Sequence, residues 1–236
     1  MSFLFLALPC IALVFGAQFL FSSASPSSRP PPPPSSRERK RRVQHASTGL
    51  VIYLLCAYLV PHSSASAILL LSSLLIASLH LARLRLPRLQ ALLAEDVFRD
   101  LLRDDEIAGR CPGCVYFLLG AGLSLLLYGP RAGRRALLHL SFGDPLAAEL
   151  GRRRAIGGKS NVRLAGGKSL FGFLGCALAC AAATLFLEGK GGRGAGYAVG
   201  SGALSAAVEL LVPGGVVDDN LALPLVSGFL HRMLLE

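Results

Sequence analysis

The segment that indicates the fold runs from Val43 to Ala82 and reads VQHASTGLVIYLLCAYLVPHSSASAILLLSSLLIASLHLA. It contains no Asp, Glu, Lys or Arg, and the tetrapeptide PHSS at positions 61–64 interrupts it near its middle. A helix needs about 20 apolar residues to cross a bilayer, and a proline between two such segments favours a turn. The segment therefore predicts a helical hairpin that crosses a membrane twice.

More apolar segments with few charges lie elsewhere in the chain. They are Phe3–Phe21, Cys111–Pro130, Ala136–Leu150, Ser169–Leu187, Gly194–Val212 and Leu221–Leu235. Together with the hairpin they predict an all-α fold, a polytopic integral membrane helical bundle with about seven or eight spans. The first segment has no basic leader, so we favour a transmembrane anchor there, with a cleaved signal sequence as the alternative.

The composition also indicates a membrane protein. Of the 236 residues, 53% are hydrophobic and 16% are charged, whereas soluble domains average about 25% charged residues. These values argue against an ordinary soluble domain, a disordered chain, a collagen and a coiled coil. The net charge of +10 comes from basic clusters between the apolar segments. They lack the aromatic platform of a nucleic-acid binder, so we expect no nucleic-acid partner.

We expect the chain to have three parts. Residues 1–21 form the anchor or signal sequence, residues 22–42 a linker that is rich in Pro and Ser and then basic, and residues 43–236 one membrane-embedded domain. Within that domain, residues 89–106 carry leucines at helical spacing among several acids, so this segment is expected to lie along the membrane surface. Most of the six cysteines lie in or beside apolar runs, which favours reduced thiols.

The basic residues predict an orientation. Lys and Arg favour the cytoplasmic side, and alternation from the first span places residues 22–47, 83–112, 149–169 and 213–220 on that side. Arg131, Arg134 and Arg135 fall on the opposite side. This violation indicates that the short segment Ala136–Leu150 is a short or re-entrant helix.

Among the acidic residues in or beside the apolar segments, the ones to explain are Asp144, Glu209, Asp218 and Asp219. A carboxylate in hydrocarbon is costly, so each is a candidate functional residue. Asp218 and Asp219 offer oxygen ligands to a hard cation such as Mg²⁺. The alternative is a plain helix N-terminus capped by Asp219 or Asn220, and for Asp144 it is an ion pair with a neighbouring arginine.

The sequence Gly-Lys-Ser occurs twice and is similar to the end of a phosphate-binding loop. The full loop pattern requires an earlier glycine, which is missing in both places, so neither is a P-loop. Free N–H groups at the start of the helix from Ser169, together with the charge of Lys168, still indicate an anion site. The predicted topology places Lys168, Asp144 and Asp218–Asp219 on one face, which describes a polyphosphate and metal site beside a lipid phase.

These residues belong to a longer ordered series. The order is Gly143-Asp144, Ala147 and Gly151, then Asn161, Gly167-Lys168-Ser169 and Gly172, then Glu209, and finally Asp218-Asp219-Asn220 and Pro224. Arg42, His45 and Thr48-Gly49 precede them. This arrangement, over residues 41–228, resembles the family of dolichol kinases, phytol kinases and CTP-dependent diacylglycerol kinases, which is related to phosphatidate cytidylyltransferases.

The resemblance implies transfer of the γ-phosphoryl group of CTP to the hydroxyl of a membrane lipid alcohol, with Mg²⁺ or another divalent cation. The lipid would be a polyprenol, phytol, dolichol or diacylglycerol. An endoplasmic reticulum or plastid-type membrane with a cytosolic active site fits the family. A phosphatidate cytidylyltransferase-like enzyme that makes CDP-diacylglycerol is the second expectation, and a non-catalytic transporter or scaffold is the third.

The resemblance also implies residue roles. Catalysis would involve Asp144, Lys168, Asp219 and His45, and nucleotide binding would involve Gly143, Asp144, Ala147, Gly151, Asn161, Gly167, Lys168 and Ser169. The metal ligands would be Asp144, Asp218 and Asp219. His45 is either a general base or a polar residue at a helix start, and the remaining histidines, isolated in the sequence, receive no role.

Overall fold

The computed structural model describes residues 34–152, 162–164, 168–188, 194–212 and 217–235. The predicted anchor at residues 1–21 and residues 22–33 of the predicted linker lie outside these ranges. The described chain is helical with short connections and contains no strand, although Arg163 and Ser169 form an isolated β-bridge. It divides into two compact units, Met1–Leu119 and Gly120–Glu236. The all-α prediction is therefore confirmed for the described residues.

In the first unit, helix α1 spans Pro34–Leu54 and continues as a π-helical turn, Leu55–Leu59. Helix α2 spans His62–Arg85. Between them Pro61 has an extended backbone (φ −55°, ψ 142°), and it has no N–H with which to continue the preceding helix. The predicted break near the middle of the first apolar segment is thus confirmed.

The basic residues 37–42, predicted to belong to a linker, form part of α1. Arg37 lies 3.2 Å from a carboxylate oxygen of Asp104, and Lys40 lies 2.7 Å from a carboxylate oxygen of Asp100. The acids of the following amphipathic region therefore neutralise part of the basic block. This pairing allows a strongly basic sequence to continue as a helix.

The amphipathic region comprises helix α3 (Pro87–Gln90), a π-helical stretch (Ala91–Val97) and helix α4 (Asp104–Ile107). Arg83, 3% exposed at the end of α2, donates hydrogen bonds to the side chain of Gln90 and to the backbone carbonyl of Glu106. Ala94 and Leu101 are buried, whereas Leu92 is exposed. Two acids of the region, Asp100 and Glu106, are buried as well, so burial here does not follow the leucine face that the sequence predicts.

Helix α5 spans Gly113–Gly151 and is interrupted at Gly129, where φ is 80° and ψ is 179°. Only glycine adopts this conformation without strain. A Cβ at Gly133 would lie 2.7 Å from Cα of Leu125, although residues eight apart in a straight helix are about 12 Å apart. The chain therefore reverses at Gly129, between the two apolar segments that the sequence separates.

The second unit contains the later part of α5 together with α6 (Leu170–Glu188), α7 (Gly194–Leu211) and α8 (Asp219–Leu235). Its apolar core includes Ala147, Cys176, Cys180 and Ala206. Helices α6 and α7 approach closely because Gly202 packs directly against the backbone of α6. Small residues allow such contact between membrane helices.

Three described helices are long and apolar enough to cross a membrane: His62–Arg85, Gly113–Gly151 and Leu170–Glu188. This agrees with an integral membrane protein, but the predicted count of seven or eight spans is not reached by the described residues. The basic start of α1, the short length and charges of α8, and the Gly, Ser and Glu209 of α7 lower their apolar character. Residues 3–21 lie outside the described ranges.

Candidate functional site

Lys168 lies at the centre of a polar cluster in the second unit. Its ammonium donates a hydrogen bond of 2.6 Å to the backbone carbonyl of Glu209 and lies 3.5 Å from Oε1 of the same residue. It also lies 3.5 Å from Oδ2 of Asp219. The side chains of Lys168 and Asp219 are 24% and 36% exposed. A ligand from outside can therefore reach the ammonium and the Asp219 carboxylate.

A short backbone pairing places Lys168 in front of α6. The N–H of Leu164 donates to the carbonyl of Lys168 over 2.6 Å, and the N–H of Leu170 donates to the carbonyl of Val162 over 2.8 Å. The pairing fixes the backbone on both sides of the lysine. Its side chain then extends to Glu209 near the end of α7 and to the first residue of α8.

Ser169, predicted to hold phosphate, caps α6. Its hydroxyl accepts a hydrogen bond of 3.1 Å from the N–H of Gly172, which satisfies one of the free N–H groups at the helix start. The residue is 4% exposed. Its structural role is thus clear, and a role in phosphate binding stays a prediction.

The predicted nucleotide-binding residues Gly143, Ala147 and Gly151 follow one another at intervals of one helical turn on α5 and face α6. A Cβ at Gly143 would lie 2.9 Å from Sγ of Cys180, and a Cβ at Gly172 would lie 3.0 Å from the carbonyl oxygen of Ala147. Their small size permits close packing of the two helices. Nucleotide contact by these residues stays a prediction.

Asp218 and Asp219 have different surroundings at the start of α8. Oδ1 of Asp218 accepts a hydrogen bond of 3.1 Å from the N–H of Asn220, and its backbone carbonyl accepts from the N–H groups of Leu221 and Ala222. Asp218 therefore caps α8, rather than Asp219 or Asn220. Oδ1 of Asp219 is buried and has no hydrogen-bond partner among the described residues.

Burial and neighbouring charges both shift the pKa values of the carboxyl groups around Lys168. Burial raises the pKa of Glu209, the Lys168 ammonium and a hydrogen bond from the Cys176 thiol oppose that rise, and repulsion from Asp144 and Asp219 adds to it. The pKa of Asp219 is also raised by burial, against the effect of Lys168 and with repulsion from Asp144 and Asp218. Asp144 on α5 is thus close enough to act on both carboxylates.

The part of the chain that the structure describes contains no group of three or more His, Cys, Asp or Glu side chains arranged to hold a metal ion. Mg²⁺ is usually bound by one or two carboxylates together with substrate phosphates, rather than by a protein cage. The buried, unpartnered oxygen of Asp219 is consistent with this kind of site. Metal binding by Asp144, Asp218 and Asp219 stays a prediction.

The other predicted site residues lie elsewhere. His45 belongs to the first unit, where its ring makes an edge contact with Phe117 at a centroid distance of 4.8 Å. It lies inside α1, which begins at Pro34, so the expectation of a helix start is wrong. Asn161 and Gly167 lie outside the described residues.

Two residues without a sequence-based role, His139 and His231, form a second polar cluster. Nε2 of His231 lies 3.1 Å from Nδ1 of His139, and both side chains are fully buried. The expectation that these histidines are isolated is therefore wrong. The sequence did contain an indication of this cluster. The apolar helices that carry the two histidines have polar residues at intervals of four positions.

No protein-family model, curated protein or solved structure matches this chain.

Proposed function

We propose that the chain is a CTP-dependent lipid kinase that transfers the γ-phosphoryl group of CTP to the hydroxyl of a membrane lipid alcohol. The observation that carries this proposal is the Lys168 ammonium, which lies between the carboxylates of Glu209 and Asp219. Asp144 in turn acts electrostatically on both carboxylates. These four residues come from separate segments of the chain. Their convergence beside long apolar helices suits a reaction between a charged nucleotide and a lipid.

Phosphoryl transfer depends on positioning and on neutralising the phosphate charge. In the proposed reaction, the lipid hydroxyl oxygen forms a bond to the γ-phosphorus, the bond from that phosphorus to the β,γ-bridging oxygen breaks, and CDP leaves. Lys168 donates to the phosphate oxygens and offsets their charge. Asp219 accepts the hydroxyl proton, and its raised pKa makes it a stronger base.

The proposed reaction also uses a divalent cation, which would reach the site bound to CTP. Asp144 and Asp218 are the residues that would hold Mg²⁺ delivered with CTP, which leaves the Asp219 carboxylate to accept the hydroxyl proton. When bound, the ion supplies additional positive charge at the phosphates. An active site on the cytosolic side of an endoplasmic reticulum or plastid-type membrane gives access to CTP and to lipid.

The apolar outer surface of the second unit supports a lipid substrate. On α6, large side chains such as Leu178 and Phe186 are 66% and 64% exposed, while Thr184 on another face of the same helix is fully buried. A lipid alcohol can approach along such a surface while the nucleotide approaches Lys168 from water.

The test is transfer of label from CTP to lipid by the detergent-solubilised full chain. CTP labelled at the γ-phosphate, CTP labelled at the α-phosphate and labelled ATP are each offered with phytol, farnesol, dolichol, diacylglycerol and phosphatidate. We expect a lipid product labelled from γ-CTP. Label from the α-position would show cytidylyl transfer instead, and no product with any lipid would overturn the proposal.

A matched pair of variants tests the site. Asp219→Asn removes the proposed base at nearly constant size, whereas Asp100→Asn changes an aspartate of the first unit that is bound by Lys40. We expect loss of turnover in the first variant and retained turnover in the second, with equal helix content by circular dichroism. Full turnover in Asp219→Asn would overturn the role of Asp219.

A further inference from the structure

A buried polar cluster joins four helices of the second unit. It consists of His139 of α5, Thr184 of α6, Ser201 and Ser205 of α7, and His231 of α8, all with no exposed surface. Nδ1 of His139 lies 2.7 Å from Oγ of Ser205, and its Nε2 lies 2.9 Å from Oγ1 of Thr184. A buried hydrogen-bond network of this kind holds helices in one arrangement.

His231 connects α8 to this cluster. Its Nε2 lies 3.1 Å from Nδ1 of His139, 3.3 Å from Oγ of Ser201 and 3.4 Å from Oγ of Ser205. The two imidazole rings meet edge to face with centroids 4.9 Å apart. His231 is thus one of the contacts that hold α8 in place, beside the packing of Gly228 against Tyr128, and it carries a buried nitrogen, Nδ1, without a hydrogen bond among the described residues.

One buried cation, which is ion-paired, already lies near the histidine pair. Arg135, one turn before His139 on α5, is 2% exposed, and its guanidinium lies 2.7 Å from a carboxylate oxygen of Glu188. The described charged or titratable groups around the pair are Arg135 on α5, Cys180 and Glu188 on α6, Tyr197 on α7 and Arg232 on α8. A second buried cation beside Arg135 would be strongly unfavourable.

The histidine pair and the Lys168 cluster share two helices. Helix α7 carries both Ser205 and Glu209, one turn apart, and α8 carries Asp219 at its start and His231 near its end. Movement of α8 away from α7 would therefore also move Asp219 relative to Lys168. The state of the histidine pair is mechanically linked to the candidate site.

We propose that the contact between His139 and His231 is an acid-sensitive latch, which opens when one imidazole takes up a proton and so releases α8 from α5 and α7. At neutral pH both rings are uncharged and the latch is closed. Burial, and then the charge of Arg135, lower the pKa of His231 to about 4, so opening occurs in acid. The latch does not rest on the proposed lipid kinase activity.

The rate at which the chain's own cysteines are modified can detect opening of the latch. Cys180 is fully buried, with its thiol 3.7 Å from the carbonyl oxygen of His139, and Cys176 is fully buried one turn away on the same helix. Cys56 of the first unit is partly exposed. The full chain in detergent micelles is treated with 4,4′-dithiodipyridine at pH 7 and pH 4.5, and modified cysteines are identified by mass spectrometry of peptides. Rates are normalised to Cys56, because thiol reactivity itself changes with pH. We expect at least tenfold faster modification of Cys176 and Cys180 in acid, with retained helix content.

Variants separate the latch from general acid unfolding. His231→Asn removes the ring that takes up the proton and His139→Asn removes its partner in the latch, so we expect either variant to abolish the acid-induced increase. His62→Asn, in the first unit, is the matched control and should respond like the unmodified chain. No increase in acid, or an equal increase in all the variants, would overturn the latch. If one of the two histidine variants does not fold at neutral pH, the acid response of cysteine modification in the other variant tests the latch.

Discussion

Lys168 acts on two neighbouring carboxylates at once. Its charge opposes the rise in the pKa of Glu209 and of Asp219 that burial causes. Its hydrogen bond to the backbone carbonyl of Glu209 also ties the start of α6 to the end of α7. A single side chain thus sets both the charge and the geometry of the candidate site.

Replacing Lys168 with methionine should abolish the proposed phosphotransfer while the fold persists. Loss of one preorganised donor to a developing charge typically costs about 100-fold to 1,000-fold in kcat. Label transfer from γ-labelled CTP measures the change. Lys40→Met, which removes an ion pair in the first unit, is the control and should keep its activity. Equal activities of the two variants would contradict a role for Lys168.

His231 should make the stability of the protein depend on pH. Its pKa is about 4 in the folded chain against an ordinary 6.5, so between these values the unfolded chain binds a proton that the folded chain does not. Stability is therefore full above about pH 6.5 and falls in acid, by about 2 kcal/mol at pH 5. Unfolding of the chain in detergent at pH 7 and pH 5 measures it, and His231→Asn should flatten the dependence. An unchanged dependence in that variant would show that other groups cause it.

At the scale of single helices, the second unit follows a spacing of four residues. Residues i and i+4 lie on the same face of a helix. The polar and small residues that follow this spacing are Arg135, His139, Gly143, Ala147 and Gly151 on α5, Cys176, Cys180, Thr184 and Glu188 on α6, and Ser201, Ser205 and Glu209 on α7. The buried members of these rows form the helix contacts, the histidine cluster and part of the Lys168 cluster.

Two glycines of α7 provide a matched test of helix packing. A Cβ at Gly202 would clash with the carbonyl of Ala177 and lie 2.8 Å from the N–H nitrogen of Ala181, whereas a Cβ at Gly200 would meet nothing within 4 Å. Overpacking typically costs about 1–3 kcal/mol, while alanine in an exposed helix gains about 1 kcal/mol over glycine. Gly202→Ala should therefore lower, and Gly200→Ala raise, the thermal unfolding temperature in detergent. Similar temperatures for both would contradict the close approach of α6 and α7.

For the whole molecule, many large apolar side chains are exposed in the described residues while several polar side chains are buried among the apolar ones. Side chains such as Leu74 on α2 and Leu178 on α6 are 63% and 66% exposed, while His139 and His231 are fully buried. Soluble monomers rarely expose large contiguous apolar patches. Such a distribution suits a membrane, because lipid hydrocarbon solvates apolar side chains on the protein surface while polar side chains stay in the protein interior.

The chain should behave as an integral membrane protein during fractionation. We expect it to stay in the membrane pellet after washing with high salt and with alkaline carbonate, and to be released only by detergent, because the apolar helices contact lipid directly. Immunoblotting of pellet and supernatant measures this. Release by salt would indicate electrostatic attachment through the basic residues instead, and would contradict membrane-spanning helices.

The sequence by itself determined the helical class, the apolar segments and the break at Pro61. These are local properties: a run of apolar residues, or a proline without an N–H, acts on its own neighbourhood. The high cost of charge in hydrocarbon also indicated Asp144, Glu209 and Asp219 as candidates. The structure places Glu209 and Asp219 beside Lys168, and Asp144 acts electrostatically on both.

Only the tertiary structure decided which distant residues meet. The contact between His139 and His231 joins positions 92 apart in the sequence, and it depends on how the helices pack. The reversal at Gly129 and the close approach at Gly202 likewise follow from backbone geometry. Helix packing arises from the surfaces of several elements at once, so a single segment does not contain it.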